Sequence, residues 1–499
     1  MNVDVGGRKK RIAARRLKGF RDISAGEVRA RDRMIARIRQ VYERYGYTPL
    51  ETPALEYVEA LGKYLPESDQ PDGGIFAFRN DEDEWIALRY DLTAPLSRFV
   101  AMNRELPMPY KRYQVGPVYR VEKPGPDRFR EFYQFDFDTV GTASMLADAE
   151  CCMVMCDTLE ALGIPRGDFI VRVNNRKVLN GVLDCVASAA RLPDGAALHV
   201  LRSIDKLDRV GIEGVEQLLG PGRRDESGDF TKGVGLGPAQ IKTIVDYLSI
   251  ANGDRARTCD ELGKLIEGSD SGREGVAELR EIDQALRDAG YNEDRIVIDP
   301  TIVRGLEYYT GPVYEGVLTI DIVDEKGITR PFGSVFGGGR YDDLVERFTG
   351  MKIPATGASI GVDRLLAALR TLGKVEVGAA TAPVLVTRLD RVLTAEYQRI
   401  AAELRAAGIN TELYLGQQNI GKQFKYASAS GKTVAVVMGS DEMEKGEVSI
   451  KDLRLGEELS KEIGADRKRW LEDQSAQFST PRSEVVEAVR RVLTKYATG

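Results

Sequence analysis

Residues 110–140, YKRYQVGPVYRVEKPGPDRFREFYQFDFDTV, hold two runs of β-forming residues around a loop, Glu122 to Arg128, that is broken by Pro124, Gly125 and Pro126. The pattern predicts a long antiparallel hairpin, Tyr110 to Val121 against Phe129 to Val140. Side chains alternate across a strand, so on the second limb Arg130, Gln134, Asp136 and Asp138 share one face while Phe129, Tyr133, Phe135 and Phe137 share the other. Such a strand suits a sheet that packs on helices behind and holds a polar ligand in front, although a solvated sheet face alternates in the same way.

Working outward from the hairpin, Met34, Ile35, Ile38, Val41 and Tyr42 recur at helical spacing between Ser24 and Tyr47, and an extended segment, Tyr47 to Pro53, follows. Period 2 in Leu88-Arg89-Tyr90-Asp91-Leu92-Thr93 aligns Arg89, Asp91 and Thr93, and Arg120 stands near the end of the first hairpin limb. From Asn175 to Asp294 helical periods predominate, so this stretch reads as a mostly helical insertion. Its Gly233, Gly235 and Gly237 follow no strand and read as a loop rather than a dinucleotide fingerprint. Strands resume at Ile296 to Ile298 and at Tyr314 to Val323. The segment Gly357-Ala358-Ser359-Ile360-Gly361-Val362-Asp363 then leads to Arg364, its small residues letting a backbone lie flat against a ligand. Beyond the linker Gly378 to Pro383, strand and helix patterns alternate and predict a small α/β domain with a helical tail from Ser483.

Composition narrows the chemistry. The 499 residues exceed one ordinary domain, and no window approaches the apolar length of a membrane span, so a cytoplasmic protein of several folding units is expected. Five cysteines without a C-x-x-C pair indicate neither a disulfide framework nor a zinc site. The one histidine, His199, lies in the apolar run Ala196 to Leu201 and reads as a packed helix residue, so a histidine-based triad is disfavoured. Chemistry is left to arginines, carboxylates, amides, hydroxyls and substrate-borne metal. No Walker-type phosphate loop is present, because Gly431-Lys432-Thr433 lacks its upstream glycine at Tyr426. With a net charge of −6, any nucleic acid must be held by local basic patches. The basic run within the first twenty-one residues reads as a solvated arm, with contact to phosphates as the alternative.

A strand-loop-strand with Arg120 at the strand end, followed late in the chain by Gly357 to Leu365 in a G-x-x-x-G-x-D/E-R-L pattern, resembles motifs 2 and 3 of class II aminoacyl-tRNA synthetases. Tyr47 to Pro53 after its helix resembles motif 1, the dimer element. Within that class, Arg304-Gly305-Leu306-Glu307-Tyr308-Tyr309 and Gly338-Gly339-Arg340-Tyr341-Asp342 are similar to the two signature segments of the histidyl-tRNA synthetase family. The stretch REFYQFDFD at 130–138 looks more like the eukaryotic and archaeal branch than the common bacterial one.

The resemblance implies an α+β catalytic core with an antiparallel sheet flanked by helices, the class II synthetase fold, at 17–174 and 296–377, with the helical insertion at 175–295. It further implies a basic extension at 1–16, an α/β anticodon-binding domain at 383–465 and a helical tail at 466–499. The implied partners are ATP with Mg²⁺, L-histidine and tRNA(His), acting in a homodimer with no membrane association and no tightly bound metal. By resemblance, Arg120 meets the α-phosphate together with Arg128 at the nucleotide, Arg364 holds the far phosphates, and Arg304 steadies charge at the α-phosphate and the substrate carboxylate. Asp91, Thr93 and Gln134 match the amino-group site, with Leu92 also counted as substrate-binding, while Asp138 and Tyr309, with Tyr308 and Tyr341 nearby, match the imidazole pocket. Lys422, Lys425, Lys432 and Lys451 are candidate phosphate contacts, and Phe424 or Tyr426 a candidate base-stacking ring, in the C-terminal unit. Three departures from the family pattern stand out: Asp363 for glutamate, Glu307 for aspartate, and a loop reading Gly125-Pro126-Asp127, whose part in reading the tRNA acceptor end is open. The rival reading is the non-catalytic regulatory subunit of ATP phosphoribosyltransferase, which shares the fold but usually lacks the C-terminal domain.

Overall fold

In the computed structural model, α1 (Ala25–Arg44) buries Ala30, Met34, Ile35, Ile38, Val41 and Tyr42 along the stripe its spacing predicts. The structure describes the chain except residues 1–11, 63, 66–69, 72–73, 126–127, 190–194, 225–227, 252, 305–308, 324–328, 376–379, 464–475 and 497–499. The described residues divide into two compact units, at 1–23 with 30–375 and at 24–29 with 376–499.

The first unit is organised by one sheet of eight described strands: β1 (Thr48–Pro49), β2 (Tyr110–Tyr119), β3 (Glu131–Val140), β4 (Phe169–Asn175), β5 (Ile296–Ile298), β6 (Pro312–Val323), β7 (Thr329–Arg340) and β8 (Ala355–Gly361). Their order is β1-β2-β3-β8-β7-β6-β4-β5, antiparallel except where β1 joins β2 and β4 joins β5. The predicted hairpin is β2 and β3, paired from Tyr110 opposite Val140 to Tyr119 opposite Glu131. Behind it, the Tyr42 ring lies 4.8 Å from both Phe135 and Phe137, so the aromatic face of β3 is sealed by α1. The polar face is left for the opposite side of the sheet.

The segment read as continuing a period-2 strand through Arg89, Asp91 and Thr93 does not do so. A strand ends at Leu88 and α2 (Thr93–Met102) begins at Thr93, with Asp91 accepting from the Ala94 amide at 2.9 Å. Arg89 turns inward instead, donating to the carbonyls of Thr52 at 2.7 Å and Pro117 at 3.0 Å. Helix α3 (Met145–Ala161) crosses the sheet and pairs its buried Asp148 with Arg340 of β7.

Residues 176–288 hold six described helices of eight residues or more, α4 (Arg176–Ala189), α5 (Ala196–Ile204), α6 (Leu207–Leu219), α7 (Pro238–Leu248), α8 (Arg255–Leu265) and α9 (Asp270–Asp288). The stretch read as mostly helical is therefore built of helices, plus a two-stranded ribbon formed by 222–224 and 230–232. Helices α4 and α9 touch through glycine, since a Cβ on Gly181 would stand 2.6 Å from Gly272 Cα. His199 differs from expectation: it is exposed on α5, whose inner face is supplied by Ala196, Val200 and Leu201. After β8 the chain enters α10 (Val362–Thr371).

The second unit alternates β9 (Val384–Val386), α11 (Thr394–Ala406), β10 (Thr411–Leu413), α12 (Ile420–Ala429), β11 (Val434–Val437), β12 (Glu447–Asp452), α13 (Leu453–Ile463), β13 (Gln477–Pro481) and α14 (Val485–Thr494). Its sheet runs β10-β9-β11-β12-β13. The stretch read as a separate tail, 466–499, is instead part of this unit where described. β13 pairs with β12, and Val485, Ala488, Val489 and Val492 are buried in the same core as Val384 and Val436. A helix with that many buried apolar residues gains far more by covering a sheet than by standing in solvent.

Candidate active site

The polar face of β3 forms one wall of a cavity of about 700 Å³ in the first unit. Asp91, Thr93, Arg120, Gln134, Arg304, Tyr309 and Arg364 all line it, so residues spread over more than 270 positions of sequence are brought together. Arg120 is held by donating from Nε to the Tyr90 carbonyl at 3.0 Å, with its guanidinium 5.2 Å from the Phe132 ring centre. Arg364, in the first turn of α10, donates to the Phe332 carbonyl at 2.9 Å. Arg304 pairs with Glu315 of β6 and is half-buried, whereas Arg364 is exposed. Cations and carboxylates therefore line the same cavity.

The acidic region is unusual in its burial. Asp91, Asp136 and Asp138 are all raised above the ordinary carboxylate range, burial being the largest cause in each, and Asp136 reaches about 7. The positive charge of Arg112, fully buried, opposes this at both Asp136 and Asp138. Arg112 lies 2.7 Å from Asp138 and also donates to the Leu92 carbonyl at 3.0 Å. The Tyr309 hydroxyl is pushed well above its usual value, chiefly by burial.

Several expected residues sit elsewhere. Asp138 and Tyr341 are hydrogen bonded to each other, and neither is on the cavity wall. Leu92 is buried and contributes its carbonyl rather than its side chain. Arg128 is exposed at the foot of the β2–β3 loop, bridged to Gly125 and away from the cavity lining. Tyr308 lies outside the described residues, as do Glu307, Pro126 and Asp127. The small residues before Arg364 divide into two groups. A Cβ on Gly357 would stand 2.3 Å from Asp138 Oδ1, so this glycine makes room for a neighbouring carboxylate, while Ser359 and Gly361 face the cavity.

Sequence reading placed Asp136 on the right face but gave it no role; its carboxylate lines the cavity and its Oδ1 is buried with no hydrogen-bond partner. Glu315 and Arg172 carried no signal, standing on strands whose patterns do not single them out. Asp205 and Asp208, at the junction of α5 and α6, reach the cavity from the helical insertion, a juxtaposition no local pattern encodes. The basic arm is also less free than expected. Arg21 lies 2.5 Å from Asp363 and 4.2 Å from the Phe129 ring centre. Asp363 uses its other oxygen to accept from the Tyr133 amide at 2.8 Å.

In the second unit, Gln423 is buried and ties a loop, donating to the carbonyls of Arg388 at 2.7 Å and Gln418 at 2.8 Å. Lys432 is buried against Glu412, and Lys451 lies 4.4 Å from the Phe424 ring centre; Lys422, Lys425 and Tyr426 are exposed. The candidate surface for phosphates therefore contracts to the two exposed lysines. Of the cysteines, Cys151, Cys152, Cys156 and Cys259 are buried and Cys185 half-buried, all as free thiols.

An antiparallel sheet flanked by helices, with an arginine at the end of its central hairpin and another at the start of the helix after β8, defines a class II aminoacyl-tRNA synthetase core. The chain belongs to the histidyl-tRNA synthetase family: the family model of that description matches residues 19–365, and one described as an anticodon binding domain matches residues 383–491. Similar relatives include the histidine–tRNA ligase of Rhizobium meliloti, 54% identical over 492 residues, covering 98% of this chain and 97% of the relative. That of Roseobacter denitrificans is 52% identical over 504 residues, covering 96% of each. Among solved structures, the histidyl-tRNA synthetase of Nostoc has a TM-score of 0.72 at 31% identity, with 96% of this chain and 100% of that one covered. These Rhizobium and Roseobacter relatives are bacterial, which overturns the leaning toward a eukaryotic or archaeal branch. Nine residues of one strand report the pocket wall they build, not the descent of the chain.

Proposed function

We propose that this chain is a histidine–tRNA ligase, which joins L-histidine to ATP as histidyl-adenylate and passes the histidyl group to the 3′ end of tRNA(His). The observation that carries this reading is that one cavity is lined by a set of acceptors, Asp91, Gln134 and Asp136, and by a set of guanidiniums, Arg120, Arg304 and Arg364. An amino acid presents an ammonium to the first and a carboxylate to the second. A substrate carboxylate oxygen then attacks the α-phosphorus of ATP in line and pyrophosphate leaves. In the second step a terminal ribose hydroxyl of tRNA attacks the acyl carbon and AMP leaves.

Neither step needs a side-chain nucleophile, so the residues act by positioning and by stabilising charge. Arg120 at the α-phosphate and Arg364 at the outer phosphates suit this, because a guanidinium stays charged and grips two oxygens at once. Phe132, beside Arg120, offers the ring face on which a base can stack. Mg²⁺ would accompany the nucleotide and bridge its outer phosphates, adding to the charge neutralisation that the arginines supply. For the ring, Tyr309 lines the cavity, and Asp138 stands behind it with Tyr341.

Pairing as a homodimer through the Tyr47 to Pro53 segment belongs to the same reading, as does contact with tRNA through the unit at 383–491. No described helix is long and apolar enough to cross a membrane, in keeping with work in the cytoplasm. The regulatory-subunit reading has less support, since that anticodon-binding match and all three cavity arginines are present. The test is amino-acid-dependent exchange of pyrophosphate into ATP across the twenty amino acids. Exchange with histidine alone is expected; silence with all twenty, or exchange with a different amino acid, overturns the assignment.

A further inference from the structure

Two buried acceptor atoms on the cavity wall have no hydrogen-bond partner, Gln134 Oε1 and Asp136 Oδ1. They are linked through Ser359, which faces Asp136 across the β3–β8 pairing. Gln134 donates from Nε2 to Ser359 Oγ at 2.8 Å, and Ser359 in turn is hydrogen bonded to the Asp136 carboxylate. A hydroxyl has one proton. When Asp136 is ionised its carboxylate only accepts, so the Ser359 proton points at Asp136, which leaves Ser359 Oγ as the acceptor for Gln134. With Nε2 committed to Ser359, Gln134 Oε1 is the amide atom left without a partner.

We infer that Asp136 is a specificity-determining residue that takes the α-ammonium of the amino-acid substrate on Oδ1, and that through Ser359 it turns Gln134 Oε1 to take a second ammonium N–H. This rests on the ligase reading and adds to it a residue and a geometry. An ammonium carries three N–H donors, and the cavity offers Asp91 beside these two orphaned acceptors. A neutral guest would leave the carboxylate buried and unpaired, which costs far more than an unmade surface contact. Asp138 is not available for this work, being engaged by Arg112 and Tyr341.

The test uses the full chain in pyrophosphate exchange, with L-histidine as substrate and its deamino analogue, 3-(imidazol-4-yl)propanoate, as competitor. Asp136→Asn keeps the shape and removes the charge. It is expected to raise the KM for histidine by about 10- to 100-fold, as for a lost charge-assisted bond, while the inhibition constant of the deamino analogue stays within about twofold. Ser359→Ala, which leaves the carboxylate but frees the Gln134 amide, is expected to move the same ratio by a smaller factor, and it carries the test if Asp136→Asn does not fold. Equal weakening of both ligands would place Asp136 at the ring and overturn the inference, as would no change in either. These outcomes are read against an active wild type; a wild type that activates no amino acid would overturn the ligase reading and this inference with it.

Discussion

Arg112 and Asp138 face each other at 2.7 Å across the hairpin, with Arg112 fully buried and Asp138 nearly so. They are register partners on β2 and β3, so the pairing of the two strands itself brings the charges together. A buried pair of this kind contributes little net stability when whole, but removing one partner leaves an uncompensated charge. Arg112→Met should therefore destabilise the first unit by about 3–5 kcal/mol, seen as a lower denaturant midpoint. The double variant Arg112→Met with Asp138→Asn should recover part of that loss. An unchanged midpoint in the single variant would show that water reaches Asp138.

Asp136 presents the opposite balance. Its folded pKa, about 7, lies above its unfolded value because burial outweighs the nearby Arg112, with Asp138 adding to the rise. The folded state therefore binds a proton between roughly pH 4 and 7 that the unfolded state does not, so this carboxylate favours folding below about pH 4 and loses that contribution as pH climbs through 7. Asp136→Asn should raise the melting temperature most at pH 8 and by progressively less as pH falls toward 4, while costing affinity for histidine. A residue that weakens the fold and strengthens binding is what a functional carboxylate should be. If the variant melts earlier at pH 8, the charge is better compensated than the surrounding groups indicate.

The same titration should appear in binding. Arg112, Asp138, Asp91 and Ser359 surround the Asp136 carboxylate, and an arriving ammonium must displace its proton at low pH. The KM for histidine should rise as pH falls below 7. Part of that rise comes from the substrate's own imidazole, so the informative quantity is the ratio of Asp136→Asn to wild type, which should narrow toward pH 6. A constant ratio from pH 6 to 8 would show that Asp136 does not titrate in the free protein.

How much of this was legible beforehand follows from the range of each interaction. The β2–β3 hairpin, its two faces and helix α1 were readable because periodicity is a local property of sequence, and Phe135 and Phe137 obey it. Asp91 and Thr93 reached the cavity for a reason other than the one anticipated, by standing at the start of a helix, where Asp91 accepts from the Ala94 amide, rather than by extending a strand. Glu315, Asp205 and Asp208 were invisible because their place depends on how distant segments fold onto the sheet. The last helix was misread as a tail, since an amphipathic helix looks the same whether or not a sheet awaits its apolar face.

Arg21 offers a test of positioning rather than contact. It holds one oxygen of Asp363 at 2.5 Å while the Tyr133 amide holds the other at 2.8 Å, so one carboxylate ties the start of α10 to β3. Arg364 is the next residue along α10, and Gln134 the next along β3. Arg21→Met should loosen that tie and raise the KM for ATP about threefold to tenfold with the KM for histidine little changed, the size expected of one partly buried ion pair. Arg21→Lys should restore part of the loss, since charge but not the planar fork is kept. Equal shifts in both KM values would point to a general loosening of the fold instead.

Arg304 is the residue whose role the geometry constrains most sharply. It pairs with Glu315, and its side chain is more exposed than that of Glu315, so its guanidinium is held by a single carboxylate on one side and open on the other. For Arg304 to meet charge developing at the α-phosphate it must give up part of that pairing, an exchange that is favourable only when the phosphate bears more negative charge than Glu315 supplies. That condition is met best in the transition state, and interactions realised only there raise kcat rather than lower KM. Arg304→Ala should thus cut kcat for pyrophosphate exchange by about 10²- to 10³-fold with a small effect on either KM, and Arg304→Lys should recover little. Glu315→Gln, which weakens that pairing without removing the cation, should change kcat by less than about tenfold. Should Arg304→Ala raise the KM for histidine and leave kcat alone, the arginine would be a ground-state anchor for the substrate carboxylate and not a stabiliser of the reacting phosphate.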